Sequence, residues 1–346
     1  MKATYKKHRL NFKLPSGTSR GILKTKDTYF LIISENEKQG IGECAVFKGL
    51  SIDDRPDYEE KLQWTCNNID LERETLYEAL NEFPSIQIGI ETAFKSINAK
   101  NQFEIFPSEF SRGEQSIPIN GLVWMGDKTF MKQQISDKLQ QGFTCIKMKI
   151  GAIDFKTELD LLKSIRKEYS SSVIELRVDA NGAFSPSEAL EKLKWLSDVQ
   201  LHSIEQPIKK GQWQEMARLC EDTSLPIALD EELIGIFSEE QKIKMMDTIN
   251  PQYIILKPSL IGGFKGSDSW ISKAENNKIG WWITSALESN IGLNAIAQYT
   301  FSKNNKLPQG LGTGSLFTNN IPSSLKVRCG SLHYNIDKKW DLDLIL

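Results

Sequence analysis

F-T-C-I-K-M-K-I-G, residues 143–151, carries Lys147 and Lys149 two positions apart. In a β-strand alternate side chains share a face, so the two ammonium groups point the same way, roughly 6.6–7 Å apart along the strand. Cys145 lies on that face below them, while Ile146, Met148 and Ile150 point to the other, which suits a strand buried on both sides. Setting two like charges this close costs about 2.5 kcal/mol at an effective dielectric of ~20. No fold needs that arrangement for stability. An exposed edge strand would carry the pair harmlessly, so the reading turns on what surrounds the stretch.

Outward from it, short apolar strands alternate with amphipathic helices from Ser116 onward, at intervals of about 25 to 30 residues. The strand candidates are Ile117–Val123, Cys145–Ile150, Glu175–Asp179, Ser203–Gln206, Ile227–Glu231, Tyr253–Lys257, Trp281–Ser285 and Gln309–Gly312. Helical patterns fill the seven gaps. The second has Phe155, Leu159, Leu162, Ile165 and Tyr169 on a helical period, and the third opens on Ser185-Pro186-Ser187-Glu188, a capping box with proline at the first helical position. Eight strands and seven helices in alternation predict an α/β fold, a (β/α)7β TIM-like barrel, over residues 113–315.

Residues 1–112 read differently. Strands come first, with Tyr29–Ile33 and Gly40–Val46 as apolar runs, and helices follow, with Ile86, Ile90, Ala93, Phe94 and Ile97 on one face. That order predicts a small α+β capping domain. The stretches Pro15–Ser19 and Phe47–Ser51 have the small, polar content of loops. Residues 316–346 follow the eighth strand and are expected to return to the capping domain.

Composition narrows the function classes. The 43 basic and 45 acidic residues are well mixed and leave a net charge of −2, no footprint for nucleic acid or an anionic membrane. Five scattered cysteines without C-x-x-C spacing fit reduced thiols in a cytoplasmic protein. No apolar run approaches the roughly 20 residues needed to span a bilayer. Homo-oligomerisation is left open.

In such barrels chemistry sits at the C-terminal ends of the strands. There the third strand carries Asp179 and Asn181, the fourth Glu205, the fifth Asp230 and the sixth Lys257. Asp179, Glu205 and Asp230 recur 26 and 25 residues apart, one per β/α unit. Neighbouring strands lie about 4.8 Å apart, so the three carboxylates can converge. Convergent carboxylates repel unless a cation holds them, and all-oxygen ligation suits Mg²⁺, with Mn²⁺ the alternative. The second and sixth strands are four apart in a ring of eight, which sets Lys149 and Lys257 on opposite sides of the mouth. A small-molecule carboxylate held there has its α-carbon between two amines, the geometry of proton abstraction beside a carboxylate. Lys147 would then tune Lys149 and donate to the substrate carboxylate. Ser285 and Gly312–Gly314, at the ends of the last two strands, are expected substrate contacts beside Asn181, with Gly312 singled out. Glu231 should point away from the site by strand parity and play a supporting role, and His202, at the N-terminal end of its strand, should be packing.

K-M-K, R-V-D-A-N-G, S-I-E-Q-P, L-D-E-E and L-K-P-S, in this order and spacing, resemble the enolase superfamily, and within it the muconate-lactonizing subgroup with lysines on strands two and six. The resemblance covers nearly the whole chain. S-A-L-E-S-N-I-G after strand seven, together with S-I-E-Q-P-I, is similar to the dehydratases of menaquinone biosynthesis. The resemblance implies a Mg²⁺-dependent lyase that dehydrates a succinyl-hydroxycyclohexadiene carboxylate through an enediolate. It implies Lys149 as the base, Lys257 as the opposite cation, Asp179, Glu205 and Asp230 as metal ligands, and capping loops near Gly17–Gly21 and Phe47–Ser51 that close the mouth. The same scaffold hosts racemisation of N-succinylamino acids and epimerisation of dipeptides. Dipeptide epimerases carry a D-x-D after strand eight, where this chain reads G-T-G. A Schiff-base aldolase using Lys257 would leave three carboxylates unexplained, and a non-catalytic barrel would leave the whole constellation so.

Overall fold

The computed structural model describes residues 1–18 and 21–345. The chain opens with three antiparallel strands, β1 (Lys2–Thr18), β2 (Gly21–Glu35) and β3 (Lys38–Cys44), in that order across the sheet. Three helices follow, α1 (Tyr58–Asn67), α2 (Arg73–Ala79) and α3 (Pro84–Asn98). Tyr29, Leu31 and Ile33 of β2 pack on these helices, while Phe30 and Ile32 face the other way, against Ile291, Ile321 and Ile345. Alternation in one strand thus supplies two cores. Helix α3 lies directly on β3: a Cβ built at Gly42 would stand 1.9 Å from the Gly89 carbonyl oxygen, so only glycine admits the approach.

The expected loop at Pro15–Ser19 is corrected in part. Backbone pairing of Ser16 with Leu23, Gly17 with Ile22 and Thr18 with Gly21 extends the hairpin through Thr18, because strand pairing satisfies backbone groups that a loop would leave to water. Ser19, and Arg20 within the expected Gly17–Gly21 capping loop, lie outside the described residues.

The remainder alternates. Strand β4 (Ile117–Pro118) and β5 (Gly121–Val123) precede α4 (Lys128–Gln140), β6 (Cys145–Lys149), α5 (Phe155–Glu168), β7 (Glu175–Asp179), α6 (Pro186–Ser197) and β8 (Ser203–Glu205). Then come α7 (Trp213–Asp222), β9 (Ile227–Leu229), α8 (Glu239–Ile249), β10 (Tyr253–Leu256), α9 (Gly263–Asn276), β11 (Gly280–Ile283) and α10 (Asn290–Ser302). Strands β5 to β11 form one parallel sheet in sequential order, curled into a barrel with seven helices outside it. Helix starts follow side-chain chemistry: Asp127, Asp154 and Ser238 accept from backbone N–H groups one turn in, and α6 has the capping box expected of Ser185 and Glu188.

Two strands differ from expectation in how they pair. Ile117–Val123 is interrupted, because Ile117 and Pro118 pair antiparallel with β13 (Ser331–Tyr334), itself paired with β12 (Leu325–Arg328). Gln309–Gly312 closes the barrel through bridges to Ile119 and Thr284, and residues 312–315 turn into a 3₁₀ helix. There the Gln309 side chain takes over ladder duty, accepting from Ile283 N at 2.8 Å.

Glu43 on β3 accepts from Ser289 N (2.9 Å), Ser289 Oγ (2.5 Å) and Gly292 N (2.8 Å), tying the N-terminal sheet to the start of α10. Trp340 stacks on Phe103 with ring centroids 4.3 Å apart. No helix of the described residues is long and apolar enough to cross a membrane.

Candidate active site at the barrel mouth

Sheet register builds the site. Lys149 on β6 lies beside Asp179 on β7, which lies beside Glu205 on β8, one row across three strands. Asp230 follows β9 and Lys257 follows β10, at the same end of the barrel. Lys147 sits one layer below Lys149 on the same face, as period two requires.

The charges interlock. Lys147 Nζ contacts Asp179 Oδ2 at 3.0 Å and pairs with Glu205 Oε2. Lys149 Nζ donates to Asp179 Oδ2 at 2.9 Å and to Asn181 Oδ1 at 2.7 Å. Lys257 Nζ pairs with Asp230 Oδ2. Burial pulls the Lys147 ammonium down, but Asp179, Glu205 and Asp230 outweigh it and hold the group above the ordinary lysine value. Burial likewise works against Lys257, and Asp230, Glu205 and Glu231 raise it. Burial works against the Asp179 carboxylate too, yet Lys147, Lys149 and Lys257 hold it well below the usual range. Glu205 goes the other way: burial, then the neighbouring Asp179, pushes it well up.

Among the described residues no group of three His, Cys, Asp or Glu side chains is assembled as a ready metal cluster. Lys147 lies between Asp179 and Glu205, and Lys257 lies against Asp230. The donor set nonetheless fits a hard divalent cation. All three groups are carboxylates on consecutive strands, each at most 2 % exposed, and Glu205 Oε1 is buried with no hydrogen-bond partner.

Lys147, Lys149, Asp179, Asn181, Lys257, Ser285 and Gly312 line one cavity of about 270 Å³, with Glu205 and Asp230 beneath the lysines. Its upper wall is apolar, from Phe47, Leu50, Trp124, Leu287 and Leu316. The Phe47–Ser51 loop is wound on itself by Ser51 N donating to Phe47 O at 2.9 Å and Phe47 N donating to Ser51 Oγ at 2.8 Å, which fixes Phe47 and Leu50 at the mouth. Ser285 Oγ and Thr313 Oγ1 stand 2.6 Å apart on the wall. Thr313 falls within the Gly312–Gly314 stretch expected to contact substrate, and its hydroxyl is the group there that reaches Ser285.

Glu231 is placed differently from the expectation. Strand β9 ends at Leu229 and residues 231–233 form a 3₁₀ helix, so strand parity no longer governs Glu231. Its Oε1 accepts from Asn181 Nδ2 at 2.9 Å. Gln206 is a second missed residue: its Oε1 accepts from Asp230 N (3.2 Å) and its Nε2 donates to Glu232 (2.9 Å), fixing the turn that carries Asp230. Two residues below Asp179, Arg177 is 2 % exposed, with its guanidinium 4.2 Å from the Trp282 ring centre and Nε on Glu175 at 2.7 Å. The barrel floor is thus a packed plug. His202 joins it, its ring 4.9 Å from Tyr253, in the packing role its position suggests.

Comparison with known proteins gives a consistent picture. Residues 131–335 match the family model described as enolase C-terminal domain-like. The chain is 46 % identical to an o-succinylbenzoate synthase of Desulfotalea psychrophila, over 96 % of this chain and 98 % of that one. It is 29 % identical to an L-Ala-D/L-Glu epimerase of Bacillus subtilis, over 51 % of this chain and 47 % of that one. The crystal structure of MenC from Desulfotalea psychrophila superposes with a TM-score of 0.86 at 42 % identity, covering 96 % of this chain and 99 % of that one.

Proposed function

The chain belongs to the enolase C-terminal domain-like family, and from that premise we propose that it is a lyase forming o-succinylbenzoate. Its substrate on this reading is 2-succinyl-6-hydroxy-2,4-cyclohexadiene-1-carboxylate, and its setting is menaquinone biosynthesis in the cytoplasm. The observation that carries the proposal is the row Lys149–Asp179–Glu205, with Lys257 held on Asp230 from the strand four places from Lys149 in the barrel order.

Asp179, Glu205 and Asp230 would hold Mg²⁺, which supplies positive charge against the developing enediolate. The chain's own groups do the rest. Lys149, in its neutral form, takes the proton from the carbon beside the ring carboxylate. Lys257, kept cationic by Asp230, faces the negative charge that follows; a cation ~4 Å away is worth about 4 kcal/mol at a dielectric of ~20. It also faces the ring, with a cation–π attraction. Lys149, now an ammonium, returns its proton to the departing hydroxyl, so a C–H and a C–O bond break, the ring becomes aromatic and water leaves. Lys147, cationic among the carboxylates, donates to the substrate carboxylate. Asn181 orients Lys149, while Ser285 and Gly312 contact the substrate. The same reading divides the chain into a capping domain over 1–112, a barrel over 113–315 and a returning segment over 316–346.

The Ser285–Thr313 hydroxyl pair favours this reaction over dipeptide epimerisation, since residues 312–314 offer a substrate ammonium no carboxylate. The test is an ultraviolet assay of o-succinylbenzoate formation with and without Mg²⁺, run beside an assay of N-succinylamino acid racemisation. Turnover only in the second would overturn the proposal.

A further inference from the structure

Among the described residues the strand position at Gln309–Gly312 is followed by a 3₁₀ helix and the β12–β13 hairpin rather than by an eighth α-helix. Between α4 and the β12–β13 hairpin runs a groove of about 760 Å³. Four cations line it: Lys138 from α4, Lys326 and Arg328 from β12, and Lys338 beyond β13. No aspartate or glutamate is among its described lining residues. In a chain with 43 basic and 45 acidic residues, this is a local excess rather than a reflection of composition.

The strand pattern explains the arrangement. Leu325 and Val327 of β12 pack against the core, so Lys326 and Arg328, alternating with them, are presented outward. None of the four makes an ion pair among the described residues. Lys138 lies half-buried over the Phe143 ring, 5.2 Å from its centre, with Asp137 the one acid that acts on it and no ion pair formed. The excess does nothing for folding, because four unpaired like charges only repel one another. What they create is a positive potential, and a walled groove concentrates it.

The groove adjoins the mouth cavity. Lys138, Gln141, Phe143, Gly312 and Ser315 line both it and the cavity that holds Lys149 and Lys257. We propose that this groove is an anion-collecting site, which captures a dicarboxylate dianion and delivers it to the barrel mouth. The occupant rests on the proposed function, whose substrate carries a ring carboxylate and a succinyl carboxylate. In the same potential a dianion gains twice the interaction energy of a monoanion, and steering of this kind raises association by about tenfold or more and fades with ionic strength.

The groove also contains its own reporter. Cys329 lines it and is the exposed one of five free cysteines, the other four being buried. Its rate of exchange with dithiobis(nitrobenzoate), itself an aromatic dianion, is compared with that for the neutral dithiodipyridine. In the full chain at low salt the dianion-to-neutral ratio is expected to exceed that of Lys326→Gln/Arg328→Gln by about fivefold or more, and the excess to vanish at ~0.5 M salt. Added o-succinylbenzoate should slow the labelling at concentrations where benzoate does not. In turnover the double variant should lose about tenfold in kcat/KM at low salt, with the gap closing at high salt. Equal labelling ratios in the two proteins, or labelling indifferent to o-succinylbenzoate, would overturn the proposal. The labelling arm needs no catalysis. A wild-type chain that fails to form o-succinylbenzoate but shows the charge-selective labelling sinks the proposed reaction and leaves the groove standing.

Discussion

Asn181 and Glu231, fifty residues apart in the chain, are joined by a 2.9 Å hydrogen bond from the amide Nδ2 to the carboxylate Oε1. The other end of the same amide accepts from Lys149 Nζ at 2.7 Å, so Glu231 sets the orientation of the group that aims Lys149. A base displaced by ~1 Å can lose about 100-fold in rate. Glu231→Leu, which leaves Nδ2 free to rotate, is therefore expected to lower kcat by one to two orders of magnitude. Glu231→Gln retains an acceptor and should lose much less. Binding of o-succinylbenzoate, followed by fluorescence titration, should stay within a few-fold for both. Equal losses in the two variants would remove the orienting role.

That pair also shows where sequence reasoning stopped working. The common face of Lys147 and Lys149, and the row of Lys149, Asp179 and Glu205, are legible because period two holds throughout β6, β7 and β8. The same rule applied to Glu231 fails because β9 ends two residues earlier and the chain turns. Arg177 was within reach, since it shares parity with Asp179. Its place on Trp282 was not, because that contact joins strands far apart in sequence. The ladder role of the Gln309 side chain, and a basic groove assembled from α4, β12 and the turn beyond β13, likewise exist only once the barrel has closed.

The proposed reaction gives the two amines separable roles. On that proposal Lys149→Ala removes the base and is expected to lower o-succinylbenzoate formation by at least about a thousandfold, consistent with loss of general acid–base catalysis. Lys257→Ala removes the opposite cation, so dehydration should fall while exchange of the substrate α-proton with solvent deuterium persists. NMR in deuterium oxide distinguishes the cases. Loss of every exchange signal in Lys257→Ala would contradict a one-base dehydration and favour a two-base racemase.

Asp53 should leave a signature in stability against pH. It is 0 % exposed, and burial pushes its carboxyl up to about 6, although Ser85 N and Ser85 Oγ donate to its Oδ2 at 2.9 and 2.6 Å. A raised folded value means the native state holds the proton more tightly. The contribution is fully present below the unfolded value of 3.8 and is lost as pH rises through about 6, a difference of about 3 kcal/mol from two pKa units. Asp53→Asn cannot titrate. Urea unfolding of the two proteins between pH 4 and 8 should give a difference that changes in this window and is flat above it. A parallel pair of curves would contradict the assignment.

Glu205 is where stability and activity should part. It is buried beside Asp179 and near Asp230, and its Oε1 has no hydrogen-bond partner. In the absence of divalent ions, Glu205→Gln replaces a carboxyl whose ionised form burial and Asp179 already disfavour, while keeping an oxygen for Lys147. Its melting temperature without added metal is expected to equal or exceed that of the wild type. On the proposed function, adding Mg²⁺ is expected to reverse the comparison. The wild type should gain about 2.7 kcal/mol of stability when the ion stands at a hundred times its dissociation constant, and the variant much less. Turnover in the variant should fall below detection, as it should in wild type stripped with EDTA and not reloaded. A variant that melts well below wild type without metal would mean that Glu205 is a structural ion-pair partner of Lys147 and not a group held in readiness for a cation.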